Sequence, residues 1–597
     1  MCGICGIYAY RAGACPVDGQ ALVTVRDAMR RRGPDGEGLW LSSDRRVGLG
    51  HRRLSIIELS SAGSQPMHDI DDRLSIVFNG EIYNYQELRD ELVGAGRRFN
   101  SHSDTEVILE LYKRHGTAAF ERLRGMFALA IWDAQERCLV LARDPFGIKP
   151  LYVADDGQSL RFASQVKALL AGGGIDERPE PAGHAGFFLW GHVPEPFTLY
   201  RGITSFPAGH YQIIRDGRVE APIGFADMRQ VLSEAEQAAA PAASADYLHD
   251  LLLESVAHHH VADVPVGVFL SAGRDSTTIA ALSRELGSGS LRTFTLGFEN
   301  YRGTARDEVP LAELVAAQLE TRQTTEWVAE EEFAQCADDL FSAMDQPSID
   351  GVNTYFVSRL MAKAGIKVAL SGLGGDELFG GYPSFAEVPK AASTIGRIPL
   401  GRRVGGIARQ LSSGWIGRLT SPKYAGLLEY GGSIPGAFLL RRALHMPWEL
   451  AGILGRDMAE EGLSRLQPLA SMGKTIEGIR DPYLAVMLLE LNCYMCSRLL
   501  RDSDWASMAH SLELRVPLVD WHFFKKLAPH LAHGHRPRKS DLVNAPRTAL
   551  PKAVVDRAKT GFDVPVRDWL MMKSPRGIHT QMRGRRSWAR IVHGAFA

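Results

Sequence analysis

Apolar positions follow two different patterns along this chain, and the change between them falls before residue 246. Up to about residue 215 they come in short runs broken by Gly, Pro and Asn: ICGIYAY, VGLGHRRLSII, LSIVFNGEIYN, MFALAIWD and CLVLARD. Such runs predict strands, and so a sheet-rich domain with few helices. From residue 246 the apolar runs are compact, as in VPVGVFL (264–270), RTFTLGF (292–298) and IKVAL (366–370), with helical spacing between them. Buried strands alternating with helices predict a parallel sheet covered by helices. Beyond residue 390 the spacing is mostly helical, which adds a helical extension. Where the two styles meet, SEAEQAAAPAASA (233–245) is small, polar and Pro-containing, as linkers are. The expected division is residues 1–215, a linker over 216–245, and 246–597.

Composition narrows the function classes. A chain of 597 residues exceeds one ordinary core, and 45% apolar with 23% charged residues is the usage of globular proteins. Lys and Arg number 68 against 69 for Asp and Glu, so no basic field draws in nucleic acid or an acidic membrane. Any anion site must be local. The start, MCGICGIYAYRAG, lacks the basic and apolar stretches of a secretory signal, and no segment reads as a membrane span. The cytoplasm is the expected address. Seven cysteines in so long a chain favour reduced thiols over a disulfide framework.

One thiol stands apart. Removal of the initiator Met would leave Cys2 with both a thiol and a free α-amine, two groups that titrate close together and can exchange a proton. Alone, a cysteine at position 2 reads more readily as a small buried residue. Paired with Cys5, and with Cys493 and Cys496, it also reads as part of a zinc site, but knuckle pairs normally share one short module. Further on, Ser271-Ala272-Gly273-Arg274-Asp275-Ser276 lies between a predicted strand and a helical run. That order aims backbone N–H groups and hydroxyls at one point, as a phosphate requires. A second small-residue loop, Ser371-Gly372-Leu373-Gly374-Gly375-Asp376, follows the strand IKVAL.

The first half is similar to the class II (N-terminal nucleophile) glutamine amidotransferase domain. The likeness runs through Cys2–Ile7, Arg32–Asp35, Arg53–Ile57, Asn79–Asn84, Ser103–Glu106 and Arg143–Gly147. The second half resembles the ATP pyrophosphatases that carry Ser-Gly-Gly-x-Asp-Ser, and Ser371–Tyr382, Ser511–Asp520 and Arg557–Phe562 extend the likeness to the glutamine-hydrolysing asparagine synthetases.

The resemblance implies an Ntn-type αββα glutaminase sandwich followed by a doubly wound parallel α/β synthetase domain. It implies Cys2 as nucleophile, Asn79 and Gly80 as oxyanion donors, and a glutamine site of Arg53, Leu54, Ser55, Ile56, Ile57, Asn79, Gly80, Glu81 and Asp104. It implies ATP held by Leu270, Ser271, Gly273, Asp275, Ser276, Leu296, Ser371 and Gly372, Mg²⁺ on Asp275 and Asp376, and Lys559 neutralising pyrophosphate. The implied substrates are glutamine, ATP and a carboxylate acceptor, with ammonia crossing a dry internal passage and a homodimer as the assembly to test. The chain departs from the pattern at Leu373, where asparagine synthetases usually carry Glu, and at Ala272, Gln165 and Trp505. Leucine cannot move a proton. Aspartate is therefore one acceptor, and a uronic acid, a cell-wall amino acid or a natural-product acid is the alternative.

Overall fold

The computed structural model describes residues 2–596, apart from 242–245, 288, 399–404, 407–408, 410–421, 535, 558–563, 566–568 and 570–583. Its first half is two antiparallel sheets laid face to face. One has the strand order 204–205, 152–155, 160–163, 3–8, 47–53, 36–41. The other runs 218–219, 210–215, 138–143, 125–133, 74–82, 67–68.

Alternation explains the layering, because successive side chains of a strand point to opposite faces. Ile4 and Tyr8 from one sheet meet Val77, Ala128, Ala130, Leu139 and Leu141 from the other, with Phe162 and Trp132 filling the gap. The outer face of the first sheet packs Cys5 against Leu22, Val25 and Met29 of the segment led by helix Gly19–Ala28. The outer face of the second packs Ile76, Phe78, Leu129 and Ile131 against Leu88 and Leu92 of helix Tyr85–Gly94 and Val107, Ile108 and Leu111 of helix Asp104–His115. Burying each such Leu, Ile or Phe contributes about 1.5–3 kcal/mol, which is why the helices lie flat on the sheets. The order is helix, sheet, sheet, helix, the αββα arrangement. Helices are more numerous here than the strand-like pattern predicted.

Within the expected linker, 216–245, Arg218–Val219 and Ile223–Gly224 pair with strand His210–Arg215, and Met228–Gln237 is helical. Asp227 caps that helix by accepting from the Arg229 and Gln230 amides, and Met228, Leu232 and Ala235 are its buried stripe. A small, polar sequence can still be an amphipathic helix when its few apolar positions fall on one face.

The second half is built on a five-stranded sheet ordered 322–328, 292–298, 266–269, 368–370, 513–515. Every pairing is parallel. The fifth strand, Glu513–Arg515, was not legible as a strand in so short a run. A helix of 27 residues, Pro482–Met508, passes the length and composition of a membrane span, which the sequence reading missed. It is mostly buried, as a core helix is, and its middle stretch, Glu490–Leu500, is π-helical. Wide turns of that kind recur at functional sites.

Candidate active sites

Cys2 leads into the central strand of the first sheet, and its backbone N–H donates to Asn79 Oδ1 at 2.9 Å. Asn79 is fully buried, and its Nδ2 has no partner among the described residues. An unspent amide donor beside a thiol suits a developing oxyanion. Asn79 and Gly80 lie inside strand Leu74–Ile82, opposite Ala128 and Phe127. Gly80 has a steric reason to be glycine: a Cβ there would stand 2.1 Å from the Met126 carbonyl oxygen.

The Cys2 thiol is buried, and desolvation pushes its pKa up. A proton acceptor is therefore needed at the sulfur itself. Leu54, Ile56 and Ile57 pack beneath the site, and the Leu54 carbonyl is 4.0 Å from the sulfur. Ser55 N–H donates to Asp35 at 2.8 Å. Arg53 spends its guanidinium on the carbonyls of Ser60, at 2.7 Å, and Glu58, so here it braces the 58–63 loop. Asp104 is buried at a helix start and accepts from the Ile82 N–H at 3.0 Å. Burial raises its pKa to about 6. Burial, then Glu513 and Asp104, raise the Glu81 carboxyl well above the usual range. Two acids that gain by receiving a positive neighbour match an α-ammonium.

Arg32 was quoted only as part of a motif, yet it is central. It is 1% exposed, donates from Nε to the Cys2 carbonyl at 3.0 Å, and forms a fork with Asp504 at 2.6 and 3.0 Å. Behind it lie Glu81, Lys149, Glu513 and Arg515, all buried.

The second site forms where strand ends and helix starts meet. Strand Val266–Phe269 runs into helix Arg274–Glu285, so Asp275 and Ser276 belong to its first turn. Ser271 Oγ and Ser276 Oγ are 2.9 Å apart, and the Gly273 N–H donates to Ser271 Oγ at 3.3 Å. The loop after strand Val368–Leu370 lies directly against this one. A Cβ on Gly372 would stand 2.7 Å from the Ser276 nitrogen, and one on Gly375 would stand 2.5 Å from Asp275 Cγ. Leu270, Ser271, Gly273, Asp275, Ser276, Leu296, Ser371, Gly372 and Asp376 all line one cavity of about 380 Å³. Lys559 lies outside the described residues.

Lys539 was missed. Its ammonium bonds the Asp275 carboxylate and lies 2.8 Å from Asp376 Oδ1. Nothing in ArgProArgLysSer (536–540) marks it, since its partners are more than 150 residues away. The two carboxylates therefore converge on one point, and this pair of hard oxygens fits Mg²⁺ shared with phosphate oxygens. Leu373 lines the same cavity and packs among apolar neighbours. Glu377 is buried on that wall, accepts from the Tyr382 hydroxyl at 2.6 Å, and is raised to about 7 by burial and then by Asp376.

A thiol site in a two-sheet αββα domain and a phosphate loop on a parallel sheet define a glutamine amidotransferase joined to an ATP-dependent synthetase. Residues 1–223 match the glutamine amidotransferase domain and residues 247–587 match asparagine synthase. Asparagine synthetase [glutamine-hydrolyzing] 1 of Bacillus subtilis (strain 168) is 34% identical over 96% of this chain and 88% of its own length. A putative asparagine synthetase [glutamine-hydrolyzing] of Mycobacterium tuberculosis (strain ATCC 25618 / H37Rv) is 35% identical over 96% and 88%. Amidase chry2 of Gibberella zeae is 32% identical over 61% of this chain and 56% of its own. Among solved structures, the glutamine phosphoribosylpyrophosphate amidotransferase from B. subtilis covers 56% of this chain and 92% of that one at 14% identity, with a TM-score of 0.30, too slight a likeness to bear on the fold. The chain belongs to the glutamine-hydrolysing asparagine synthetase family. It is a carbon–nitrogen ligase that uses glutamine nitrogen and ATP.

Proposed function

We propose that this enzyme cuts ammonia from glutamine at Cys2 and delivers it to a carboxylate adenylated in the cavity between residues 271–276 and 371–376. The observation that carries this reading is the convergence of Asp275 and Asp376 on Lys539 in a cavity that also presents Ser271, Gly273 and Ser276. The glutaminase spans 1–215 and the synthetase 246–597.

With Met1 removed, the Cys2 α-amine takes the thiol proton and the sulfur attacks the glutamine amide. Asn79 Nδ2 and the Gly80 N–H meet the oxyanion, ammonia leaves, and water releases glutamate. Asp104 and Glu81 hold the substrate α-ammonium, and Arg53 takes its α-carboxylate after leaving the Ser60 carbonyl. In the second site a carboxylate oxygen attacks the α-phosphorus, pyrophosphate leaves toward Lys539 and Lys559, and ammonia then displaces AMP. Mg²⁺ on Asp275 and Asp376 would supply charge neutralisation at the phosphates. Tyr382 and Glu377, hydrogen-bonded on the wall of this cavity, then take the proton that the attacking ammonia sheds, a task Leu373 cannot do. A cytoplasmic setting fits seven free thiols and small-molecule substrates.

Leu373 favours a second reading, in which the acceptor is an acid other than aspartate. Supplying ATP, Mg²⁺, glutamine and aspartate tests it: efficient asparagine formation removes the need for another acceptor. For the two-site scheme, Cys2→Ala is expected to abolish glutamine use and to spare ammonia-driven pyrophosphate release. Equal loss of both would overturn it.

A further inference from the structure

Carboxylates crowd the wall of the ATP cavity: Asp275, Glu308, Asp350, Asp376, Glu377 and Asp502 all line it. Among its described lining residues, Arg585 is the only lysine or arginine. Cations behind the wall are already paired, Lys539 with Asp275 and Asp376, Arg498 with Asp350 at 2.9 Å and Arg557 with Glu308 at 2.9 Å. Burial raises Asp502 to about 6 and Glu377 to about 7, so the wall disfavours further negative charge. An acceptor that must enter as a carboxylate, and lie beside a triphosphate, needs a cation at its side.

Arg585 opens helix Arg585–Gly594, which is fastened at both ends. Arg586 forks onto Glu449 at 2.7 and 3.0 Å. Trp588 is buried and donates from Nε1 to the Ile349 carbonyl at 3.2 Å, one residue before Asp350 and Gly351 of the cavity wall. Farther along, His593 Nε2 lies 2.8 Å from Nδ1 of His184, in helix Pro181–Trp190 of the first half. The chain enters the helix through Gly584 at a φ of 102°, a conformation that residues with a Cβ rarely adopt. Two arginines in a first turn run against the preference of helix starts for acids. The Glu449 fork accounts for Arg586, while Arg585 stays exposed at the cavity mouth.

Arg585, Tyr382 and Tyr494 also line a neighbouring cavity of about 200 Å³, so they mark where the two cavities adjoin. Tyr382 bonds Glu377 there, whereas Ser271, Gly273 and Ser276 line the first cavity alone. Arg585 therefore stands toward the end where ammonia attacks and away from the phosphate loop. We infer that Arg585 binds the acceptor carboxylate that is to be adenylated, and that helix Arg585–Gly594 is the strap that holds it in place. The inference rests on the reading that this cavity adenylates a carboxylate. The planar fork meets both carboxylate oxygens and orients one toward the α-phosphorus.

Pyrophosphate release with ATP, Mg²⁺ and ammonium chloride, measured with aspartate and with glucuronate as probe acids, tests it. Arg585→Gln is expected to raise KM for the acid about tenfold or more, with KM for ATP in place. Arg585→Lys is expected to recover part of the loss, since the charge returns without the fork. Arg586→Gln, which unfastens the helix from Glu449, is expected to reproduce the loss in milder form. A rise in KM for ATP as large as that for the acid, or no change in either, would overturn the assignment and leave adenylation standing. If neither acid is turned over, calorimetric titration of enzyme loaded with α,β-methylene-ATP and Mg²⁺ decides. Acid binding that Arg585→Gln weakens keeps the assignment while adenylation falls, and binding that it leaves alone, or absent binding, overturns it.

Discussion

Arg32 and Asp504 form a buried, two-pronged ion pair, at 2.6 and 3.0 Å, between the Cys2 site and the helix that walls the ATP cavity. Arg32 holds the Cys2 carbonyl with its third nitrogen, and Asp502 and Ser503, the two residues before Asp504, line that cavity. One guanidinium is therefore shared between Cys2 and the helix that walls the ATP cavity.

Removing one partner of such a pair strands the other charge in the interior. Asp504→Ala is expected to cost about 3–5 kcal/mol of stability. Denaturant unfolding monitored by tryptophan fluorescence measures it, and Asp504→Asn, which still accepts hydrogen bonds, should cost less. A loss below about 1 kcal/mol would mean that Arg32 finds other acceptors.

Lys539 gives a sharper functional test. Lys539→Met keeps the length of the stem and deletes the charge that faces Asp275 and Asp376. Pyrophosphate release is expected to fall about a hundredfold or more, while glutamate release from glutamine, read at the distant thiol, persists.

The two loops of the ATP site touch so closely that a single methyl group should part them. Gly372→Ala places its Cβ within 2.8 Å of Asp275 backbone and side chain. Overpacking of this kind costs about 1–3 kcal/mol, and here it falls on the nucleotide site. A raised KM for ATP with unchanged glutaminase KM is the expected signature.

Glu377 links pH to stability. Its pKa rises from the ordinary 4.5 to about 7 on folding, so the folded state binds more proton between those values. Its contribution to stability is full below about pH 4.5 and is lost as pH climbs through about 7. Asp104, raised from 3.8 to about 6, has the same sign over a lower window. Glu377→Gln is expected to flatten the decline between pH 4.5 and 7 in a pH series of unfolding midpoints. An unchanged slope would show that other groups carry it.

While the roles of the ATP-site residues came from the family resemblance, five strands of the first half, three of the five parallel strands of the second and the glycine-bearing loops were legible in the sequence, because alternation and small-residue turns are local properties. So was the place of Cys2, which needs only a chain position. That Asn79 and Gly80 both lie inside one strand was not legible, because an Asn-Gly pair says nothing of the strand that flanks it on both sides. Tertiary structure alone decided that Lys539 faces Asp275, that Arg32 meets Asp504, and that Glu377 sits dry enough to titrate near neutrality. Each of those facts depends on distance and burial between segments far apart in the chain, and a hydrogen bond or a desolvated charge exists only once folding has brought its partners, or its apolar walls, together.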